Sequence, residues 1–404
     1  MRRQFSCFTT KDTKHTKGAQ GAPDNRRDPG DWPGAKRPFV FLVSLVVEPS
    51  RLARLASVRE FHASMPDPLP PVGILPCQSI EALVAGGAVT AGVPFLADQV
   101  QPASLDLRLG ARAWRVRASF LPGLGRKVAE RIADVAMHEL DLTAGAVLER
   151  GCVYIAEIAE RLRLPADVAA RANPKSSTGR VDVFVRALTD HGPSFDDIAE
   201  GYAGPLYIEI APQTFSVLVR AGTRLNQLRL KRGEPPTLSV RSVGVDLSEG
   251  LAGFRARRHA GVVDLDRENG HDPRDFWEPL EPRRGELLLD PGEFYILASK
   301  EPVEIPALEA AEMTPIDPAV GEFRVHYAGF FDPGFGTAET DSVGARGVLE
   351  VRSHETPFLL EDGQTVARLV YQPLTERPSR LYGENGSHYQ RQGLKLSKHF
   401  RAWG

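Results

Sequence analysis

The chain has 404 residues, 42% of them hydrophobic, which is long enough for two or more ordinary cores. Lys and Arg number 50 against 52 Asp and Glu, a net charge of −2, so no global basic field points to nucleic acid as a partner. Three cysteines, Cys7, Cys77 and Cys152, lack CxxC spacing, which excludes a zinc ribbon and fits a reducing, cytoplasmic setting.

Residues 1–68 are unlike the rest. Lys, Thr, Gly, Asp and Pro dominate up to Pro38 with no apolar period, a composition expected to stay disordered. The run from Phe39 to Val47 is apolar but far shorter than the roughly 20 residues a membrane span needs, so no membrane partner is expected. It fits a signal peptide poorly too, because the polar stretch before it is too long and no small-residue cleavage site follows. The favoured reading is a spurious extension, with the working protein beginning near Met65.

Two helices are expected next: Gln78 to Ala85, after a Pro-Cys break, and Arg126 to Leu140, with Val128, Ile132, Val135 and Ala136 on one face. The remainder reads as strand. Tyr207 to Ile210, Phe215 to Val219, Leu225 to Leu230, Phe294 to Leu297, Val348 to Val351 and Val366 to Tyr371 are short β-branched or aromatic runs. Gly and Pro separate them at intervals of about 8–12 residues, the spacing of a barrel or sandwich.

Much of the chain repeats at a fixed offset. Leu148, Gly151, Tyr154, Ile155, Pro165 and Ala166 recur as Leu289, Gly292, Tyr295, Ile296, Pro306 and Ala307, each 141 residues on (289 − 148 = 141). The same step carries Glu209 onto Glu350, Gly222 onto Gly363 and Leu228 onto Leu369. We read two tandem copies of one domain, 69–235 and 236–404, divided at the turn-rich Arg232-Gly-Glu-Pro-Pro236.

Candidate chemistry is split between the copies. Asn173-Pro-Lys175-Ser176-Ser177-Thr178-Gly179-Arg180 places small hydroxyl residues between two cations, which suits a phosphate cradle; a solvated loop is the plainer alternative. Shifted by 141, it lands on 316–321, which has neither the serines nor the arginine. Copy two has instead a strand from Val325 past Ala328 into the tight turn Asp332-Pro333-Gly334, weakly echoed by Asp190 in copy one. Glu209 and Glu350 stand within apolar strand runs. Either could face solvent; in a dry pocket either could shuttle protons near neutrality. The basic, polar tail from Ser387 to His399 could fray or could close over a polyphosphate.

These motifs resemble the dCTP deaminase and dUTPase superfamily, and the tandem arrangement resembles the longer bacterial form of dCTP deaminase. Lys175-Ser176-Ser177-Thr178-Gly179-Arg180 is similar to the family's Arg-Ser-Ser-x-Ala-Arg, which binds phosphates and places the catalytic water. Phe331-Asp332-Pro333-Gly334-Phe335 is similar to the motif that holds the deoxyribose. Ile208-Glu209 and Leu349-Glu350 match the Leu-Glu of the proton-transfer glutamate, although the asparagine that often follows is absent from both. Ser104-Leu-Asp106-Leu-Arg-Leu-Gly110 resembles the family's first strand, and Tyr382, His388, Tyr389 and Gln392 resemble its closing tail.

The resemblance implies a mainly β fold: two tandem dUTPase-like domains, each a β-clip or distorted barrel, with a few short helices. It implies deamination of dCTP to dUTP and ammonia without zinc, in the synthesis of dUMP and dTTP. The zinc-deaminase signature is indeed missing from the sequence. Glu350, or Glu209, would be the proton shuttle, with Ser176 and Arg180 orienting water. Lys175, Ser177 and tail cations would hold the triphosphate with its Mg²⁺, and backbone near Ala328 would read the base. The expected site is composite, the cradle of copy one facing the pocket and tail of copy two, at a domain or subunit interface of a homo-oligomer. Two rivals stay open: a dUTP diphosphatase or bifunctional enzyme, and a non-catalytic nucleotide-binding relic.

Overall fold

Why the chain is almost all strand is visible in its burial patterns. Val153–Arg163 alternates buried and partly exposed positions, the period of a sheet with one covered face. Ser104–Val116 starts with six consecutive buried residues, as a strand covered on both faces does. The computed structural model describes residues 71–316, 323–326 (backbone only), 329–353, 355–384, 389 and 391–404. The expectations for residues 1–68, Ala328 and His388 therefore lie outside the described residues, as does nearly all of 316–321.

Among the described residues, the first half is built on an 11-stranded sheet. Its main path runs Asp197–Ile198, Val168–Pro174, Arg224–Arg232, Ser104–Val116, Val153–Arg163, Ala203–Pro212 and Val183–Thr189. The second half carries two larger sheets. One orders Ser239–Gly244, Thr365–Pro373, Glu309–Pro315 and Phe330–Phe331; the other orders Trp277–Leu280, Gly253–Ala256, Phe294–Pro302, Arg346–Ser353 and Phe323–His326. The fold is thus mainly β with few helices, as expected.

The 141-residue repeat is a repeat of geometry. Glu209 pairs in register with Ile155, and Glu350 with Ile296. Tyr154 accepts a hydrogen bond from the Glu149 amide at 3.0 Å, and Tyr295 accepts one from Asp290 at 2.8 Å. Gly151 and Gly292 take φ of 73° and 71°, so the same left-handed turn is made twice.

Asp67–Gly404 is one compact unit. A core of Leu105, Leu107, Ile158, Val185, Ile208 and Leu228 fills the first half, and Phe254, Trp277, Phe294, Ile296 and Phe400 of the second half pack into it. A separate core of Val245, Leu297, Leu349, Leu360 and Leu369 fills the rest of the second half. The shared core presses one face of the second half against the first, which is what brings their polar motifs together.

The first expected helix forms over Cys77–Ala85. The second stops short: it covers Val128–Val135, and Ala136–Asp141 is a strand beside Ser104–Val116, pairing Trp114 with Glu139 and Arg115 with His138. The open edge of the long strand, with a Trp114 Nε1 to Glu139 hydrogen bond of 3.1 Å, outweighs local helix preference. The expected strands form, except that Phe215 precedes the strand Val217–Val219.

Candidate active site

A cavity of about 200 Å³ opens between the two halves. From the first half it is lined by Asp106, Lys175, Ser176, Ser177 and Arg180, and from the second by Asp332, Glu350, Tyr382, Tyr389 and Gln392. Two motifs that the sequence separates by some 150 residues thus face each other within one chain.

The cradle is made by a strand stopping abruptly. Val168–Pro174 pairs with Arg224–Arg232 up to Pro174, and Ser176–Gly179 then closes one helical turn. The Lys175 amide donates to Leu225 O at 2.9 Å, and Thr178 Oγ1 donates to the same oxygen at 2.9 Å, pinning the turn to its neighbour strand. Four residues apart on that turn, Ser176 and Arg180 share one face. Lys175 meets Asp106, which Arg224 also approaches at 3.4 Å.

Arg180 is almost fully buried, with its side chain 3% exposed. It donates to Gln392 Oε1 at 2.9 Å and to Lys395 O at 3.0 Å, and lies 3.9 Å over the Tyr389 ring. Its Nε has no hydrogen-bond partner and stands 4.0 Å from Glu350 Oε1. That gap exceeds a direct hydrogen bond, so the two charges face each other without touching.

Glu350 reaches this point from the strand Arg346–Ser353, between Phe294–Pro302 and Phe323–His326. Burial pushes its carboxyl up to about 8; the Arg180 guanidinium pulls it back and Asp182 pushes it further up. Desolvation wins over a guanidinium that stops short of contact. Two residues along on each side, Arg352 pairs with Asp182, and Thr214 Oγ1 donates to that aspartate at 2.5 Å.

Asp332 is set by its turn. The Phe335 amide donates to Asp332 O at 3.2 Å, and Gly334 and Gly336 hold φ of 93° and 74°. A Cβ on Gly336 would stand 1.8 Å from Val303 O, so only glycine fits. Asp332 Oδ1 accepts from Arg229 of the first half at 3.3 Å.

The tail fastens over the cradle. Ser397 Oγ donates to Ser177 O at 2.7 Å, and the Lys398 amide donates to Tyr389 at 3.1 Å. Gln392 is buried and donates to Arg346 O at 2.9 Å, whereas Arg391 turns outward to Asp341.

Glu209 does not line this cavity. It is buried too, but Arg186 grips its Oε1 at 2.6 and 3.1 Å while lying 3.6 Å over Phe195. Asp190, the weak echo of Asp332, accepts from the Val128 amide at 2.9 Å at the start of a helix. Residues the motifs did not mark are Arg224, Arg229 and Arg380, each placed by strand register or chain reversal. Asp106 had a signal, the Ser-Leu-Asp-Leu-Arg run, though not one that marked it as part of a pocket. Among the described residues, no helix is long and apolar enough to cross a membrane.

Residues 71–234 match the model of the 2'-deoxycytidine 5'-triphosphate deaminase N-terminal domain, and residues 237–400 that of its C-terminal domain. A dCTP deaminase from Natronomonas pharaonis is 30% identical over 183 residues, covering 43% of this chain and 86% of that protein. A dUMP-forming dCTP deaminase from Beutenbergia cavernae is 29% identical over 188 residues, 46% of this chain and 94% of that protein. The crystal structure of 2'-deoxycytidine 5'-triphosphate deaminase from Agrobacterium tumefaciens superposes with a TM-score of 0.73 at 52% identity, covering 76% of this chain and all of that one. With both domain models matched in tandem and the composite cavity between them, the chain belongs to the dCTP deaminase family of enzymes.

Proposed function

We propose that this chain deaminates dCTP to dUTP and ammonia, supplying dUMP and dTTP synthesis, with Glu350 as the proton shuttle. The observation that carries this is a buried carboxyl in the cavity wall, pushed up to about 8 and 4.0 Å from an Arg180 Nε that makes no hydrogen bond, where the proposed step places the attacking water. Glu350 takes a proton from that water as its oxygen bonds to C4 of the cytosine ring. The C4–N bond then breaks, and the same carboxyl returns the proton to the departing ammonia. A group titrating near neutrality serves both halves of that exchange.

Ser176 and Arg180 orient the water, while Asp332 and Tyr382 hold the sugar end. Lys175, Ser177, Tyr389 and Gln392 close on the phosphate side; the expected roles of His388 and of backbone near Ala328 fall outside the described residues. Among the described residues no three His, Cys, Asp or Glu side chains are grouped to hold a metal. A Mg²⁺ carried on the triphosphate would offset charge there beside Lys175 and Ser177. Zinc has no part in the proposed step. We also propose a cytoplasmic homo-oligomer.

Some relatives carry the name dUMP-forming, which favours testing a second cleavage. Incubation with dCTP and Mg²⁺, measuring ammonia, dUTP and pyrophosphate separately, decides the matter. Ammonia with equal dUTP supports deamination alone. Pyrophosphate in step with ammonia makes the enzyme bifunctional, and dCTP binding without ammonia makes it a relic.

A further inference from the structure

One buried cation beside the cavity is marked by no motif. Arg229 projects from the strand Arg224–Arg232 of the first half into the second, with its side chain 3% exposed. Its guanidinium donates to Ala311 O at 3.0 Å, to Phe331 O at 3.2 Å and to Asp332 Oδ1 at 3.3 Å, and lies 4.0 Å over the Phe330 ring. Every one of those acceptors belongs to the turn carrying Asp332 or to the strand beside it. The equivalent position in the second half is Val370, since 229 + 141 = 370, so the arginine is not a feature of the repeated fold. A guanidinium this buried is destabilising unless its acceptors hold it in a defined geometry. Here they do.

We propose that Arg229 is a positioning residue for substrate, its fork holding Asp332 as an acceptor-only carboxylate for the 3′-hydroxyl of the deoxyribose. This rests on the dCTP reading above, in which Asp332 takes the sugar. The charged groups facing the pair are Asp106 of Ser104–Val116, Lys175 at the foot of the cradle and Glu312 of Glu309–Pro315. Burial pushes the Asp332 carboxyl up, Arg229 pulls it down, Asp106 pushes it up and Lys175 pulls it down. Without the guanidinium, less opposes the burial that pushes this carboxyl up, and its protonated form, no longer a pure acceptor, is favoured.

The test compares ammonia release from dCTP and from 2′,3′-dideoxy-CTP by the full chain, Arg229→Met and Arg229→Lys. The wild type should favour dCTP by about ten- to hundredfold in kcat/KM, the range for a hydrogen bond to a charged group. In Arg229→Met the KM for dCTP should rise by a similar factor, with kcat held within about threefold. Its preference for dCTP should collapse toward one and recover as pH rises and Asp332 ionises. Arg229→Lys, which keeps the charge but loses the fork, should fall between. An unchanged preference in either folded variant overturns the proposal, and Arg229→Lys decides alone if Arg229→Met fails to fold. A wild type that turns over both nucleotides equally also overturns it while leaving deamination intact. A wild type that releases no ammonia from either removes the parent reading, and this one with it.

Discussion

Asp182 and Arg352 pair across the two halves, each two residues beyond the facing Arg180 and Glu350. Each half therefore offers a cation and an anion in opposite order, and the four charges alternate around the seam. Asp182 and Arg352 touch directly, whereas Arg180 and Glu350 stop at 4.0 Å. The seam thus leaves one acid loosely held.

That arrangement makes opposite substitutions act in opposite directions. Asp182 is one of the groups raising the Glu350 carboxyl. Asp182→Asn should move the acidic limb of the kcat/KM profile to lower pH. Arg352→Met leaves the aspartate's field uncompensated and should move it to higher pH. Shifts of the same sign in both variants would count against the alternating set.

The two glutamates should separate cleanly. Glu350→Gln and Ser176→Ala should each lower kcat by about 10²–10⁴, the range for a positioned acid–base group, without unfolding. Glu209→Ala should keep measurable turnover but lose about 1–3 kcal/mol of stability, because Arg186 loses its partner in a partly buried site. Ammonia assays beside thermal melts read both quantities. An inactive but well-folded Glu209→Ala enzyme would transfer the proton-shuttle role away from Glu350.

Glu350 also predicts how stability depends on pH. Its carboxyl titrates near 8 in the folded chain, against an ordinary value of 4.5. Between those values the unfolded chain has released a proton that the folded chain still holds, so stability falls as pH rises. The slope is at most about 1.4 kcal/mol per pH unit. Glu350→Gln removes it, and its Tm should exceed that of the wild type by a margin that widens toward pH 8. Catalysis runs the other way: kcat/KM should climb with pH toward a limb near 8, because the base must be ionised.

Gly336→Ala tests the turn that presents Asp332. Its Cβ would sit 1.8 Å from Val303 O on a residue with φ of 74°. Relief requires the turn to move, at about 2–4 kcal/mol. Melting temperature and KM for dCTP should both worsen, whereas Gly123→Ala, whose Cβ meets nothing within 4 Å, should leave KM unchanged.

The sequence revealed what lies along one strand or turn. The offset between Glu209 and Glu350, the hydroxyl-rich cradle and the Asp-Pro-Gly turn are local patterns, and each keeps its local form in the fold. The seam was inferred only as a composite because the motifs were divided. That Glu209 is taken up by Arg186 follows from the register of two paired strands, which no local pattern gives. Arg229 has no local signature at all. The helix expected to reach Leu140 failed for a related reason: Ala136–Asp141 joins a strand edge that only tertiary structure supplies.

Joining both walls of the seam by a peptide linkage has a kinetic meaning. Dilution cannot part Arg180 from Glu350, where walls on separate molecules would dissociate. Linkage also releases the halves from identity. A symmetric assembly of one domain would place an arginine at every copy of position 229 or at none, whereas this chain keeps Arg229 in one half and Val370 in the other.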